Sequence, residues 1–410
     1  MKLKRDKLIK KTKSTCPVCL DEISANIFEE NGKAVMEKRC EQHGEFEAVI
    51  ENDVDFYKEI LKKKPKFEIN RDSVIIPIAY GCNLSCKYCY LPDREHKELT
   101  TEEIKSYIDN PGYSVIAFSG GEATLNPDIF DLIKYATLKG KETCLLTNGI
   151  KLASEDYVKN LKNSGLEAVL FSFNSFDDNK LEKIDSKRLL QTKLKALKNL
   201  KREKIKITFS FSWLKGTNDK DFIKALKFAL NNNNVFEFRC RVYAMIGRYT
   251  QTQDNTLSDF IKLMAKETNI PSDDYFNYWL GLGDAHQNSP DYHSQYLFHI
   301  NYYDFIFSTK LAKRLRSSIF TYPKYLTYLI EHFGFLYFLR ITYAHFSRKK
   351  IPELSIRMFS WPDKNDIDLN EVRHDNLDHV ALDGSSNPFF ETMMLNERIR
   401  TRLKKESPLV

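Results

Sequence analysis

Three cysteines follow directly after the first long apolar run of the chain, residues 73–80. Cys82, Cys86 and Cys89 have the spacing C-x3-C-x2-C, and an aromatic residue, Tyr88, precedes the third cysteine. Iron–sulfur clusters are held by cysteine thiolates, normally four, so a set of three leaves one iron open to an outside ligand. The alternatives are zinc, which usually takes four protein ligands in two close pairs, or thiols that merely lie near one another. The spacing therefore predicts a catalytic [4Fe–4S] cluster with one exchangeable position.

A second set of metal-ligand residue types lies nearer the start of the chain, in one C-x2-C and one C-x2-H arrangement. The set consists of Cys16, Cys19, Cys40 and His43. Three thiolates and one imidazole suit a tetrahedral zinc ion, and iron also fits a sulfur-rich tetrahedron. Residues 34–39 and 45–50 alternate in polarity as ribbon strands do. We predict a metal-binding ribbon with a structural role, against the simpler alternative of free thiols and a surface histidine.

From residue 73 onward, short apolar runs alternate with amphipathic stretches, which is typical of strand–helix units. The predicted strands are 73–80, 114–118, 142–147, 167–173, 205–212 and 235–243. The predicted helices between them are 101–109, 127–139, 153–164, 187–203 and 219–230. Such alternation implies a parallel sheet with its active residues at the carboxyl ends of the strands. The predicted fold class is α/β: a partial (β/α)6 TIM-like barrel with an N-terminal zinc-ribbon-like module and a mainly helical C-terminal extension.

Small and polar residues end the second, third and fourth predicted strands, at the edge where barrel chemistry is expected. They are, in chain order, Gly120, Gly121, Glu122, Asn148, Ser172 and Asn174. Adjacent glycines let a backbone edge approach a ligand closely, and a glutamate offers an acceptor for an ammonium group. Ser172 and Asn174 either hydrogen-bond a ligand or only cap the strand end. Near the sixth strand, Arg239, Arg241 and Arg248 are candidates to pair with a carboxylate or another anion, and spacing does not choose among them.

The composition of the 410-residue chain is that of a globular protein, with 42% hydrophobic and 29% charged residues. A net charge of +7 is modest for this length and gives no strong indication of nucleic-acid binding. Most of the eight cysteines stand in metal-like spacings, which indicates a reducing compartment. We find no apolar run long enough for a membrane span and no signal peptide. We expect a cytoplasmic protein, either free or in peripheral contact with the membrane surface.

Beyond the barrel pattern, residues 256–268 are predicted as a helix and 271–290 as a loop-rich stretch. Residues 309–350 then combine many lysines and arginines with aromatic residues. Such a mixture suits contact with an anionic membrane or an extended lipid, or with single-stranded nucleic acid. The third possibility is a set of amphipathic helices that pack on the barrel and expose a basic face.

The ribbon, the cysteine triplet and Gly120–Glu122 occur together in the radical S-adenosylmethionine (SAM) superfamily, which this chain resembles. The similarity is greatest to the branch with archaeal tetraether lipid synthase and the methanogen pterin methyltransferase, and it extends to residues 215–219, 246–248 and 355–359. The resemblance implies that SAM chelates the open iron and that the Gly-Gly-Glu segment holds its methionine amino group. It also implies reductive cleavage of SAM to methionine and a 5′-deoxyadenosyl radical. We predict that Tyr88, Asn148, Ser172, Asn174 and Arg248 complete the SAM site.

The chain departs from that branch in its cysteines. Relatives usually carry further cysteines just before the first strand and near the C-terminus, for accessory clusters. Residues 61–72 contain no cysteine, and none follows Cys240. From the resemblance to that branch we therefore expect the same fold and SAM cleavage in this chain, but no chemistry that needs a second cluster.

The predicted organisation has four parts: a metal-binding ribbon (1–52), a helical linker (53–72), a radical SAM barrel (73–250) and a C-terminal substrate or lid region (251–410). The predicted function is hydrogen abstraction from a lipid-like or other apolar substrate, followed by C–C coupling or methylation. Alternatives are a pterin, small-metabolite or peptide substrate, or a non-catalytic metal-binding protein associated with nucleic acid. A ferredoxin or flavodoxin is the expected electron donor, and zinc or iron is expected in the ribbon.

Overall fold

The computed structural model describes most of the chain. The described residues are 7–62, 71–91, 96–242, 246–249, 255–281, 297–301, 305–306, 309–317, 321–333, 335, 338–339, 342–343, 347, 354–373 and 377–406. Many of the aromatic and basic residues between 334 and 350, on which the lipid prediction partly depends, lie outside them.

The N-terminal part folds as a four-stranded antiparallel sheet, in the order β1-β2-β3-β4. Its strands are β1 (Lys7–Thr15), β2 (Glu22–Glu30), β3 (Lys33–Cys40) and β4 (Gly44–Glu51). Helix α1 (Val54–Lys62) closes one face, where Val54 and Tyr57 join Ile27 and Met36 in a small core. In the lysine-rich start, exposed and buried side chains alternate over residues 11–14 of β1, after an irregularity in the register between Leu8 and Lys10.

The second sheet has ten strands. They are β5 (Ser73–Ala79), β6 (Val115–Gly120), β7 (Glu142–Thr147), β8 (Ala168–Ser172), β9 (Lys206–Trp213), β10 (Val235–Val242), β11 (Leu297–Asn301), β12 (Ser355–Ser360), β13 (Leu377–Val380) and β14 (Ser386–Pro388). The strand order is β11-β12-β10-β9-β8-β7-β6-β5-β13-β14. The six predicted strands are parallel neighbours, so the (β/α)6 prediction is confirmed. Two later strands, β12 and β13, extend the parallel run at its two ends.

Helices cover the outer face of this sheet and extend the C-terminal region. They are α2 (Thr101–Ile108), α3 (Ile129–Leu138), α4 (Glu155–Asn163), α5 (Asp178–Asp185), α6 (Leu190–Arg202), α7 (Asp219–Leu230), α8 (Leu257–Thr268), α9 (Ser272–Gly281), α10 (Lys310–Arg316), α11 (Tyr322–Phe333), α12 (Leu369–Val372) and α13 (Phe389–Glu406). Alternate strand residues such as Val74, Ile76 and Ile78 pack against the helices in one large core. The intervening residues, such as Ile75 and Ala117, therefore point to the inner face of the sheet.

Two local predictions differ from the structure. The helix predicted over 187–203 begins at Leu190, and a separate helix, α5, precedes it. Ser186 separates the two helices, because its left-handed backbone (φ 68°) ends α5. Residues 272–281, predicted as loop, form α9, and Asp273 and Asp274 lie in its first turn, where they favour helix formation. The rest of the predicted loop, 282–290, lies outside the described residues.

The described aromatic residues of α11 are core residues. Tyr325, Tyr328 and Phe333 join the main hydrophobic cluster, whereas Lys313 and Arg314 of α10 are exposed. This part of the 309–350 segment therefore packs on the barrel and exposes its basic residues to solvent. This is the arrangement of amphipathic helices that we gave as an alternative to a lipid or nucleic-acid contact. Within the described ranges, no helix is both long and apolar enough to cross a membrane.

The ribbon sheet is joined to the C-terminal region by buried polar contacts. The Lys10 ammonium pairs with the carboxylates of Asp368 and Glu371. Lys38 is 2% exposed and donates to Ser14 Oγ (2.9 Å) and to the backbone carbonyl of Lys364 (2.8 Å). These contacts join residues that are far apart in the sequence. We therefore infer that folding of the ribbon also stabilises the C-terminal region.

Candidate active site and metal centre

The loop with the cysteine triplet leaves the carboxyl end of β5 and is held on one side by the end of α5. The backbone N–H of Lys87 donates to the carbonyl of Ile184 (3.2 Å), and the N–H of Ser85 donates to Ser186 Oγ (2.8 Å). Cys82, Cys86 and Cys89 are all partly exposed on this loop. The loop is thus anchored through its backbone, which leaves the thiols available as ligands.

The opposite side of the loop contacts the segment after β10. The N–H of Arg248 donates to the carbonyl of Cys89 (3.0 Å), and the rings of Tyr88 and Tyr249 are 4.8 Å apart. Gly247 has φ +66°, and a Cβ built there would lie 2.3 Å from the Cys89 carbonyl oxygen. Only glycine permits this approach without displacing the cysteine loop. The Arg248 side chain is exposed, so its proposed contact with a SAM carboxylate stays a prediction.

The glycines at the end of β6 fix this strand against the start of the same loop. Gly120 has φ +137°, and a Cβ there would lie 1.9 Å from the Ala79 carbonyl oxygen. The N–H of Gly121 donates to Ala79 (2.7 Å), and the N–H of Glu122 donates to the carbonyl of Gly81 (2.9 Å). The Gly-Gly-Glu segment and the triplet are therefore one connected structure, as their order in the sequence led us to expect.

The carboxylate of Glu122 is 2% exposed and is surrounded by donors of the protein itself. Its Oε1 accepts from Thr124 Oγ1 (2.7 Å), Thr124 N (3.2 Å) and Thr147 Oγ1 (2.6 Å), and its Oε2 accepts from Asn148 N (2.7 Å). In this arrangement the hydrogen bonds of Glu122 hold the end of β7 in place. The predicted role as acceptor for the SAM ammonium group remains a prediction, and it requires at least one of these donors to share the carboxylate.

Asn148, whose backbone N–H donates to Glu122, also contacts the cysteine loop. Asn148 donates through Nδ2 to Asn83 Oδ1 (2.7 Å), and its own Oδ1 accepts from Ile150 N (3.0 Å). Its backbone carbonyl accepts from Lys193 Nζ (3.1 Å), which also donates to the carbonyl of Ser172 (2.7 Å). The ends of β7 and β8 are thereby held together beside the triplet.

A buried polar network that the sequence did not predict lies behind the triplet. Asn174 donates to Asp185 Oδ1 (2.8 Å), and Asp185 forms an ion pair with the fully buried Lys193 (3.3 Å). The backbone carbonyl of Asp185 accepts the Cys86 thiol at 3.8 Å. Asn174 Oδ1 also accepts from the N–H of Ser212 (2.9 Å), so this side chain positions two strand ends. Its predicted contact with SAM, and that of Ser172, remain untested predictions.

A sequence feature could have identified Lys193. It stands at helical spacing from Ala196, Leu197 and Leu200, which are buried, so a lysine occupies a core-facing position of α6. A lysine in such a position needs a buried acceptor. The sequence did not indicate which acceptor, because Asp185 belongs to α5, a helix that we did not predict.

The residues present fit a cluster better than a single ion at the triplet. Within the described residues, the ligand atoms of the ribbon quartet all lie within 4.8 Å of one another, whereas the three sulfurs of the triplet do not converge in this way. A single tetrahedral ion with bonds of about 2.3 Å needs sulfurs roughly 3.8 Å apart, whereas a four-iron cube spreads its ligands more widely. A Cβ on Gly81 would meet nothing within 4 Å, so there is open space beside Cys82.

The thiol of Cys86 stays protonated unless a metal ion binds to it. Burial raises its pKa to about 12, and the nearby Asp185 carboxylate acts in the same direction. The free thiol is therefore protonated at neutral pH. Since metal binding deprotonates a coordinating thiol, a cluster bound here must displace this proton.

The ribbon quartet has the geometry of a closed, single-ion site. Cys16 Sγ and Cys40 Sγ lie 3.6 and 3.4 Å from His43 Nδ1, and Cys19 Sγ lies 3.9 Å from Cys40 Sγ. These distances are close to the edges of a zinc tetrahedron. Four protein ligands fill such a site, which favours structural support over catalysis.

Comparison with known families and proteins agrees with these two sites. Residues 76–229 match the family model described as the radical SAM superfamily, and residues 8–52 match the model described as the HMPTM N-terminal zinc ribbon domain. Over 307 residues the chain is 29% identical to 7,8-dihydro-6-hydroxymethylpterin dimethyltransferase of Methanocaldococcus jannaschii, covering 65% of this chain and 61% of that protein. Over 137 residues it is 35% identical to Fe-coproporphyrin III synthase of Methanosarcina barkeri, covering 32% and 34%.

The similarity to these curated relatives is thus partial, since the aligned part spans less than two thirds of either one. Among solved structures, Streptococcus suis SuiB bound to S-adenosylmethionine matches with a TM-score of 0.42 and 16% identity. That match covers 60% of this chain and 68% of SuiB.

Proposed function

We propose that this chain, whose residues 76–229 form a radical SAM domain, is an enzyme that modifies a pterin or a similarly compact heterocycle, with methyl transfer as the preferred reaction. The observation that carries the proposal is that two separate comparisons, one of the ribbon and one of a longer part of the chain, indicate the same class of enzyme. The ribbon at residues 8–52 matches a model named for the same kind of protein as the relative aligned over 307 residues, a hydroxymethylpterin dimethyltransferase. A ribbon and a barrel that both point to one class of enzyme support it more strongly than the barrel alone.

In this proposal Cys82, Cys86 and Cys89 hold the [4Fe–4S] cluster. When bound, the cluster and one SAM would supply reductive cleavage of a carbon–sulfur bond, which gives methionine, and abstraction of hydrogen from the substrate, which gives 5′-deoxyadenosine. The methyl group would come from a second SAM, which leaves as S-adenosylhomocysteine, and the reductant would supply one electron for each SAM. The protein's own residues bind, orient and exclude water. Gly120 and Gly121 hold the end of β6 against Ala79, beside the cysteine loop, and would bind SAM there together with the remaining predicted contacts. These contacts are Tyr88, Glu122, Asn148, Ser172, Asn174 and Arg248.

The other components of the reaction are also proposals. A small electron-transfer protein of the ferredoxin or flavodoxin kind would reduce the cluster. The ribbon ion, zinc in preference to iron, would take no part in the chemistry because its four protein ligands leave no open position. Since no cysteine lies in 61–72 or follows Cys240, the reaction would use the single cluster at the triplet.

The lipid-like substrate that the sequence favoured is now the less supported choice. The described aromatic residues of α11 are in the hydrophobic core and offer no surface to an acyl chain, whereas Phe335 and Tyr343, later in the same segment, are exposed. The named activities of the two curated relatives concern a pterin and a porphyrin. We therefore place the heterocycle ahead of the lipid, and methyl transfer ahead of C–C coupling.

The test is an anaerobic assay of reconstituted protein with SAM that carries a deuterated methyl group. We expect the label to appear in added 7,8-dihydro-6-hydroxymethylpterin when a reductant is present, as measured by mass spectrometry. The triple variant Cys82→Ala Cys86→Ala Cys89→Ala should transfer none.

Two outcomes would contradict the proposal. If the wild type fails to cleave SAM, the assignment of the triplet is wrong. If SAM is cleaved but the label or the abstracted hydrogen is found only with lipid extracts or peptides, the enzyme class stands and the heterocycle is wrong.

A further inference from the structure

The inner face of β10 and β12 carries an unusual set of charges. On β10, Phe238, Cys240 and Val242 pack in the core with the helices, so the alternate residues, Glu237 and its partners, point inward. These inward residues are Glu237, Arg239 and Arg241 on β10, and Arg357 on β12. Three guanidinium groups thus accompany one carboxylate on the described inner face of these two strands.

Glu237 holds two of the arginines together. It is 2% exposed and accepts from Arg239 Nε (2.8 Å) and Thr208 Oγ1 (3.1 Å), and Arg357 Nε lies 2.7 Å from its other oxygen. Arg239 and Arg357 are direct neighbours in the parallel register of the two strands. Burial opposes ionisation of Glu237, but the charges of Arg239 and Arg357 hold its pKa below the ordinary value. Two adjacent cations are therefore kept in place by a single ionised carboxylate.

Arg241 lies one inward position nearer the carboxyl end of β10. Its Nη2 donates to Ser212 Oγ (3.0 Å), and its guanidinium lies 4.9 Å from the centre of the Trp361 ring. Its Nε is buried and has no hydrogen-bond partner among the described residues. A buried donor without an acceptor is costly, so this N–H would favour an acceptor group on a bound molecule.

An aromatic wall connects Arg241 to the cysteine loop. The Trp361 ring contacts Tyr90 at 5.5 Å and Phe389 at 5.2 Å between ring centres. Tyr90 directly follows Cys89 and is fixed by Ser119 Oγ (3.4 Å). The wall, which consists of Tyr90, Trp361 and Phe389, therefore lies between the triplet and the arginines. A flat molecule beside this wall would place one end near the cluster loop and the other near the guanidinium groups.

We propose that the substrate carries an acidic group, a phosphate ester or a carboxylate, which Arg239, Arg241 and Arg357 bind inside the barrel. The planar part of the substrate then lies against the aromatic wall. Guanidinium groups bind both kinds of acid in a bidentate manner, and the three arginines share a single described carboxylate, Glu237, on these two strands. This inference rests on the proposed function and extends it, because it specifies what a heterocyclic substrate must carry.

The experiment compares three fluorescent probes on the reconstituted protein: 6-carboxypterin, the phosphate ester of 6-hydroxymethylpterin, and uncharged 6-hydroxymethylpterin. We expect at least one acidic probe to bind about tenfold or more tightly than the uncharged one, because a hydrogen bond to a charged group contributes at least that factor. The two acidic probes distinguish a phosphate from a carboxylate substrate.

The variant that tests the site is Glu237→Gln Arg239→Gln Arg357→Gln. Removing the arginines alone would leave a buried carboxylate without its partners, so the triple substitution keeps the protein foldable. The triple variant lowers the net charge of the protein by one. The control is Arg202→Gln, on the outer surface of α6, which changes the net charge by the same amount. The triple variant should lose the preference for acidic probes, and the control should keep it.

The single variant Glu237→Gln gives an opposite expectation, since it removes the competing carboxylate and should strengthen binding of the acidic probe. Equal binding of all three probes by the wild type, or a preference retained in the triple variant, would overturn the inference. The proposed function is judged separately, by whether the wild type transfers the labelled methyl group to 7,8-dihydro-6-hydroxymethylpterin.

Discussion

The two cysteine sites of this protein use the same side chain in different ways. In the ribbon, Cys16, Cys19, Cys40 and His43 converge within 4.8 Å on a small sheet. At the triplet, three thiols are distributed along one open loop, which is held by backbone hydrogen bonds from α5 on one side and from the Gly247 segment on the other. The first arrangement fits one ion with all positions filled, and the second fits a larger group with one position open.

The difference shows where each site obtains its rigidity. The ribbon has a small core, so an ion bound by four ligands contributes directly to its folding. The triplet receives its shape from surrounding elements: Gly120 and Gly121 against Ala79, and Asp185 behind Cys86. A catalytic site needs this external support because its own ligands must leave a position free.

The largest expected effect is that of Cys86→Ala. One thiolate fewer should prevent stable cluster binding and reduce SAM cleavage to background, as measured by 5′-deoxyadenosine formation under anaerobic conditions. Cys240→Ala, which removes a buried thiol outside both sites, is the control and should keep the iron. Normal SAM cleavage by Cys86→Ala would remove the basis for the distinction between the two sites.

Cys19→Ala should affect folding more than chemistry. Structural zinc sites contribute roughly 10 kcal/mol to the folding of small ribbons, so loss of one ligand should release the ion and unfold β3 and β4. Hydrogen exchange of the full chain should show lost protection within residues 7–52, with β5 to β10 still protected. If the exchange pattern and the zinc content match those of the wild type, the structural role of the quartet is wrong.

A matched pair of glycine substitutions tests the close contact at the triplet. Gly247 and Gly216 both have positive φ, so either alanine variant should lose about 1 kcal/mol from backbone strain. Only at Gly247 does the new Cβ meet the Cys89 carbonyl, at 2.3 Å, whereas at Gly216 nothing lies within 4 Å. We expect Gly247→Ala to lower the iron content of the reconstituted protein well below that of Gly216→Ala. Equal iron content would show that the Cys89 contact is not needed.

The last effect concerns the contact between the ribbon sheet and α8, and it changes stability with pH and not the binding of iron. Burial raises the pKa of Glu51 to about 7, although Ser258 and Thr256 donate hydrogen bonds to it. The folded state then holds a proton that the unfolded state loses above about pH 4.5. Stability is therefore fully present below that pH and declines as the pH rises towards 7, by about 3 kcal/mol at most.

Glu51→Gln should remove this dependence. Urea denaturation of wild type and variant at pH 5 and pH 8 is the measurement, and the difference in unfolding free energy between the two proteins should change in favour of the variant at pH 8. A difference that does not depend on pH would show that Glu51 is ionised in the folded protein.

Much of the fold was predictable from the sequence because the apolar runs of β5 to β10 and their spacing are strong local patterns. The triplet and Gly120–Glu122 were found for the same reason. The strand β13 has only four residues and includes Asp378 and His379, so no periodicity marks it. Its pairing with β5 depends on tertiary contacts that the sequence does not reveal.

The supporting residues of the site were less predictable. Asp185 and Lys193 belong to different helices, and the sequence predicted only the second of these, over 187–203, so α5 and its Asp185 were left unassigned. The arginines of β10 were visible as candidates, but Arg357, which shares Glu237 with Arg239, comes from a strand more than a hundred residues later. Sequence spacing cannot show such a pair.

The most direct test of the account is the electron paramagnetic resonance spectrum of the reduced, anaerobically reconstituted full-length protein, recorded before and after addition of SAM. We predict the signal of one reduced [4Fe–4S] cluster and a clear change of that signal with SAM, because the three-cysteine site leaves one iron able to take a new ligand. Addition of SAM to the Cys82→Ala Cys86→Ala Cys89→Ala variant should change nothing. A cluster signal in the wild type that SAM leaves unaltered, or its persistence in the triple variant, would contradict the account.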